Sequence, residues 1–341
     1  MNFDVSSRTI FLARHGSHAY GLNTPTSDED FKGVCVKPKE AYFGFLNRFE
    51  QQEHMGSKSD GIDKVVYSLD KFAHLAADCN PSIIEVLFVD DSDVLKCDAW
   101  GEQLRENRDH FLSKKARFTF AGYSHSQLKR IKTHRAWLLD PPKAPPARQD
   151  FGLDDVQKVD KSELGAFDSL LGLDTVDDKA LTSPVEQAEA ISAIAVAKGI
   201  ELPKNVITLF TREKAWRAAQ AHWSQYQNWL KTRNPVRAEL EAKHGFDTKH
   251  GMHLLRLLMM AVRLLREGTV TVKWQGAERE YLMGVRNGML AYDPLVEEAE
   301  RLDNFVEELY KTSDVLPKEP DRNYLDQLIV GMTETYLRAH G

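Results

Sequence analysis

The chain has 341 residues, 42% hydrophobic and 28% charged, which excludes a wholly disordered chain and leaves room for two domains or one large one. Acids outnumber bases by 51 to 45, a net charge of -6, so any nucleic-acid site must be a local basic patch on an acidic body. Cys35, Cys79 and Cys97 form no C-x-x-C pair, which argues against a disulfide framework or a cysteine-rich zinc site and for a reducing, cytoplasmic setting.

The opening stretch MNFDVSSRTIFLARHGS lacks the basic region and apolar core of a signal peptide, so secretion is not expected. Residues 9–13 (TIFLA), 31–36 (FKGVCV) and 63–69 (DKVVYSL) have the length and β-branched content of strands, with a turn cluster from Gly21 to Asp28 after the first. Helices are expected over 69–78 and over 81–88, the second opened by Pro81. From about residue 111 the apolar spacing becomes helical, over 118–139 and again over 249–267, where Met252, Leu255, Met259, Val262 and Leu265 form one stripe and Gly268 suits a C-cap. Arg256 and Arg263 interrupt the richest apolar run, LLRLLMMAVRLL, so no membrane span is expected. Between the helices Pro141, Pro142, Pro145 and Pro146 stop the pattern, and residues 152–190 carry ten acids against Lys158, Lys161 and Lys179. Such a segment reads as a mobile loop or peripheral element, or as a substrate lid. The architecture expected is therefore α+β: a small mixed-sheet domain over 1–112, then a mostly helical domain over 113–341 with a proline-headed acidic insert near 141–200.

The chemistry concentrates in HGSHAYGLNTPTSDEDFKGV, residues 15–34. Gly16-Ser17 follows one apolar strand, ten residues intervene, and Asp28-x-Asp30 precedes the next. Alternation along an extended chain places Asp28 and Asp30 on one face with Glu29 opposite. Two such carboxylates make a hard oxygen site suited to Mg²⁺, with Mn²⁺ as a substitute, bridging the phosphates of a nucleotide. Gly16 lets the backbone approach a triphosphate, and the Ser17 hydroxyl and nearby N–H groups donate to its oxygens.

Gly-Ser, about ten residues, then Asp-x-Asp resembles the signature of the DNA polymerase β-type nucleotidyltransferase superfamily. The resemblance implies two metal ions, an NTP substrate (ATP among the candidates) and a third carboxylate on a later strand. Asp63 is the best match for it, with Asp60 and Asp70 nearby. Four further segments, 69–89 (LDKFAHLAADCNPSIIEVLFV), 122–134 (GYSHSQLKRIKTH), 233–258 (RNPVRAELEAKHGFDTKHGMHLLRLL) and 285–302 (VRNGMLAYDPLVEEAERL), are similar to the RNA repair pathway DNA polymerase β family. This implies transfer of NMP to a hydroxyl, an RNA end as acceptor, and an RNA ligase or other repair protein as partner.

The helical half offers basic groups. Residues 111–139 hold Lys114, Lys115, Arg117, Lys129, Arg130, Lys132 and Arg135 with no acid, either a solvated face or a groove for phosphates. Gln127, Arg130 and His134 fall at helical spacing. Asp247 suits an N-cap, and Lys249, His253 and Arg256 follow on one face. The resemblance makes Lys249 and His253 phosphate or base contacts, while a metal role for His250 and His253 is not expected. Trp216, Trp223, Tyr226 and Trp229 form a stripe that reads as core rather than as a stacking platform. Two other readings stay open: transfer to a protein or small-molecule hydroxyl, and a non-catalytic RNA-binding or antitoxin-like module.

Overall fold

The computed structural model describes residues 3–55, 62–154, 158–173 and 184–340. The N-terminal part is a five-stranded mixed sheet, built from β1 (Thr9–His15), β2 (Glu29–Cys35), β3 (Gln51–His54), β4 (Ile62–Ser68) and β5 (Val94–Cys97) in the order β3-β4-β2-β1-β5. β2 and β4 are parallel and the other neighbours antiparallel. Around them lie α1 (Gly16–Ala19), α2 (Lys39–Phe43), α3 (Leu69–Ala77), α4 (Pro81–Leu87) and α5 (Ala99–Glu106), followed by the long α6 (Ala116–Leu139). The rest of the described chain is helical: α7 (Lys161–Leu171), α8 (Pro184–Ala197), α9 (Lys204–Thr232), α10 (Pro235–His244), α11 (Thr248–Glu267), α12 (Gly276–Arg286), α13 (Tyr292–Thr312) and α14 (Arg322–His340). No helix among the described residues is long and apolar enough to cross a membrane.

β1, β2 and β4 stand where the apolar runs place them. The edge strands β3 and β5 carry no such signal, because QQEH and VLKC are four residues long and mostly half-buried or exposed. α11 is the central helix of the second half. Asp247 caps it by accepting the His250 N–H at 3.1 Å, and Gly268 ends it in the left-handed region at φ 70°. Its apolar residues are buried on more than one face, so the stripe is part of a wider buried surface against α12 and α13.

Contacts divide the chain into two compact units, Met1–Arg135 with Arg237–Gly341, and Ala136–Val236. A break at 112/113 does not coincide with this division. One continuous core joins Ile10, Phe11 and Leu69 to Leu255, Leu258 and Val306, which ties the sheet to the helices of residues 248–312. Part of the acidic stretch is helical, over α7 and the start of α8. Leu164, Phe167 and Leu171 line one side of α7, and Phe167 and Leu171 join Ile191, Ala195 and Ile207 in a small core within the second unit. Two of its acids serve locally: the Asp160 N–H donates to Glu163 at 2.6 Å in a capping box. Residues 155–157 and 174–183 of that stretch lie outside the described residues. Within the same unit Trp137 packs on Tyr226 and Trp229 with centroids 5.6 and 5.3 Å away; of the aromatic stripe Tyr226 is buried, while Trp216, Trp223 and Trp229 are half-buried.

The basic run of 111–139 is partly neutralised. Arg117 pairs with Glu307 at 2.7 Å and Lys115 with Glu319 at 2.9 Å, while Arg135 lies 4.3 Å over the Tyr292 ring. Lys129, Arg130 and Lys132 stay exposed.

Candidate active site

β1 runs out at His15, and the chain turns at once into the four-residue helix α1. The turn needs a glycine, because Gly16 has φ +67°. It also needs one for space. A β-carbon at Gly16 would stand 3.0 Å from Asp30 Cγ and closer still to Oδ2, so the Gly16-Ser17 turn lies directly on the Asp30 carboxylate. The register explains the contact, since Asp30 is the cross-strand partner of His15.

The same residue meets Asp63 from the other side. Parallel pairing of β2 and β4 sets Asp30 opposite Asp63, so two carboxylates sit side by side on one sheet face. Asp28 lies one residue before β2 and is exposed, but remains within electrostatic reach. The Asp30 carboxyl is pushed above the ordinary range, first by burial and then by the charge of Asp63, with Asp28 adding and Lys32 and Lys249 opposing. Asp60 lies outside the described residues. Asp70 pairs instead with Lys37 at 2.7 Å.

Among the described residues no three His, Cys, Asp or Glu side chains stand close enough together to hold a metal ion as they are placed. The donor chemistry nevertheless fits a hard divalent cation. The charges of Asp63 and Asp28 both act on the Asp30 carboxyl, opposed there by Lys32 and Lys249.

The basic residues divide. Lys249, on the first turn of α11, is half-buried, with its pKa lowered by burial and by Arg237 and Arg286, while Asp247 and Asp28 act the other way. It is within electrostatic reach of Asp28 and Asp30. His253, one turn on, sets its ring edge-on to Tyr20 at 6.5 Å, and burial and then Arg256 hold it well below the usual imidazole value. Arg130 is exposed on α6 and acts electrostatically on His250 rather than standing among the main charges on Asp30. His250 accepts from Arg237 Nη1 at 2.7 Å and is buried, so the neutral imidazole is part of the support of α11.

Sequence reasoning missed the polar layer beneath this site. Glu85 of α4 is buried, accepts from the Tyr20 hydroxyl, and pairs with Arg256 Nη1 at 2.5 Å. The Arg256 guanidinium lies 3.9 Å over the Tyr20 ring. Lys32, two residues from Asp30, donates to Ser82 of α4. A signal was present: a single acid in PSIIEVLF and a single base in HLLRLLMM are lone charges in otherwise buried apolar runs, which survive only when paired.

A mixed sheet that sets a Gly-Ser turn against neighbouring strand carboxylates is consistent with a polymerase β-type domain. Residues 2–139 match the family model RlaP, described as the RNA repair pathway DNA polymerase beta family. The segments 233–258 and 285–302 lie beyond that match. Over 128 residues the chain is 31% identical to an uncharacterized 38.9 kDa protein of Enterobacteria phage T4, from the nrdC-mobD intergenic region. That alignment spans 35% of this chain and 38% of the phage protein. No solved structure matches the chain significantly.

Proposed function

We propose that the chain is a metal-dependent nucleotidyltransferase that moves NMP from an NTP to an acceptor hydroxyl, with an RNA end as the preferred acceptor. The observation that carries this reading is the packing of Gly16 on Asp30 with Asp63 in register beside it. That packing supports the reading, because a glycine turn of the kind that cradles phosphate then lies beside a carboxylate pair.

Asp28, Asp30 and Asp63 would hold two Mg²⁺ or Mn²⁺ ions, which supply charge neutralisation at the triphosphate. Gly16 and Ser17 bind the phosphates through backbone N–H groups and the serine hydroxyl, while Lys249 and His253 approach from α11. Arg130 extends the positive surface toward the acceptor. The acceptor oxygen forms a bond to the α-phosphorus as the bond from that phosphorus to the β-phosphate oxygen breaks. Pyrophosphate leaves with the bonding pair, and a carboxylate oxygen of the site takes the hydroxyl proton.

The test is transfer from α-labelled ATP, CTP, GTP and UTP with Mg²⁺, offered a short RNA, a DNA of the same sequence, or no acceptor, beside Asp30→Ala. Label on RNA that vanishes in the variant supports the reading and names the base. Label on the protein or on a small molecule moves the acceptor assignment, and no label with any acceptor refutes the enzyme.

A further inference from the structure

The short helix α1 cannot hold the Gly16-Ser17 turn in place by itself, because four residues close too few helical bonds to be stable alone. Both of its ends rest on α4. At the front, His15 Nε2 lies 3.4 Å from the Ser82 hydroxyl, 3.4 Å from the Tyr20 hydroxyl and 3.9 Å from Glu85 Oε2. At the back, the Tyr20 N–H donates to the Gly16 carbonyl at 3.0 Å, and the Tyr20 hydroxyl donates to Glu85. Ser82 and Glu85 are one turn apart on α4 and so face the same way. Arg256 of α11 completes the arrangement, with its guanidinium on the Tyr20 ring and on Glu85.

Stability alone does not account for this layer. A buried ion pair contributes little beyond what apolar side chains of the same volume would, and Arg256 Nε is buried without a hydrogen-bond partner. What the layer does supply is a fixed place for α1. We propose that Tyr20, Glu85 and Arg256 are positioning residues that hold the Gly16-Ser17 turn against Asp30, and that α11 is thereby fastened to the nucleotide site it serves. The inference rests on the nucleotidyltransferase reading of the same site.

The experiment is a double-mutant cycle on binding of MgATP, or of whichever labelled NTP the transfer assay selects, by equilibrium dialysis. It uses the full chain, Tyr20→Phe, Ser17→Ala and the pair. If Tyr20 acts through the turn, Tyr20→Phe weakens binding about ten-fold in the wild-type background and less than about two-fold once Ser17 is alanine. A purely structural role gives equal factors in both backgrounds, or a lowered melting temperature with unchanged binding, and either result overturns the proposal. Should Tyr20→Phe fail to fold, Glu85→Gln, which keeps the side-chain shape, runs the same cycle. Wild-type protein that binds none of the four nucleotides removes the parent reading. Wild-type protein that binds while Tyr20→Phe binds equally well removes only the brace.

Discussion

Gly16→Ala separates the two reasons for a glycine at the start of α1. Its φ of +67° costs an L-residue about 1–2 kcal/mol. Gly199 has nearly the same backbone, φ +68°, and a β-carbon there meets nothing within 4 Å. Gly199→Ala therefore carries the strain alone. At residue 16 the new carbon would stand 3.0 Å from Asp30 Cγ, against an ordinary carbon contact of about 3.5–4.0 Å. Either the turn or the carboxylate must retreat by up to about 1 Å, and misplacement on that scale costs about a hundred-fold in rate. Both variants are expected to melt lower, by about 2–4 °C per kcal/mol for Gly16→Ala in the larger unit and about 4–8 °C per kcal/mol for Gly199→Ala in the smaller one. Only Gly16→Ala is expected to lose nucleotidyl transfer, by about a hundred-fold. Differential scanning calorimetry and transfer of labelled NMP read the two effects. A Gly16→Ala rate within about three-fold of Gly199→Ala refutes the close packing of turn and carboxylate.

Three other perturbations follow from the same geometry. Asp30→Asn in EDTA is expected to melt above wild type at pH 7, because burial and Asp63 raise the folded pKa of Asp30 and its charge opposes folding. The wild-type penalty grows as pH rises from the unfolded carboxyl value through the folded one, and the advantage of Asn vanishes below about pH 4. The same variant should transfer NMP at least about a hundred-fold more slowly, and a lower melting point at pH 7 contradicts the charge argument. Arg256→Met leaves Glu85 buried without its cation and should cost about 3–5 kcal/mol in urea denaturation, most of it recovered by Glu85→Leu with Arg256→Met; a single-variant loss under about 1 kcal/mol counts against the pair. Burial, reinforced by Arg237, pushes His250 down to about 4 while Asp247 opposes. The stability His250 contributes as a neutral ring is present above about pH 6.5 and is lost as pH falls toward about 4. Urea midpoints across that window should therefore be flatter in His250→Gln.

The parts of the fold that were legible in the sequence are those whose signal is local. β1, β2 and β4 are short apolar runs between turns, and α11 announces its start with Asp247 and its end with Gly268. The Gly-Ser and Asp-x-Asp elements were legible as types at a spacing. Their meeting was not, because it depends on register: a parallel pairing of β2 with β4, across the intervening β3, sets Asp30 beside Asp63. The layer below the site is still less local, since Glu85 and Arg256 are 171 residues apart. In 152–190 the number of acids masked the 164, 167, 171 apolar spacing that makes α7 a packed helix.

The charge balance also bears on the choice between an enzyme and a passive RNA-binding module. Lys32 shares its sheet face with Asp30 but hands its ammonium to Ser82, and Lys249 makes no hydrogen bond or ion pair among the described residues, although Asp28 is within its reach. At Asp30 the lysines oppose the neighbouring acids without cancelling them: burial and the charges of Asp63 and Asp28 leave its carboxyl above the ordinary range. A module that only binds RNA has no use for such a cluster, because phosphates would be repelled from it. The proposed function gives it a use: cations held there would relieve the repulsion, and phosphates would then approach a surface whose sign has been reversed.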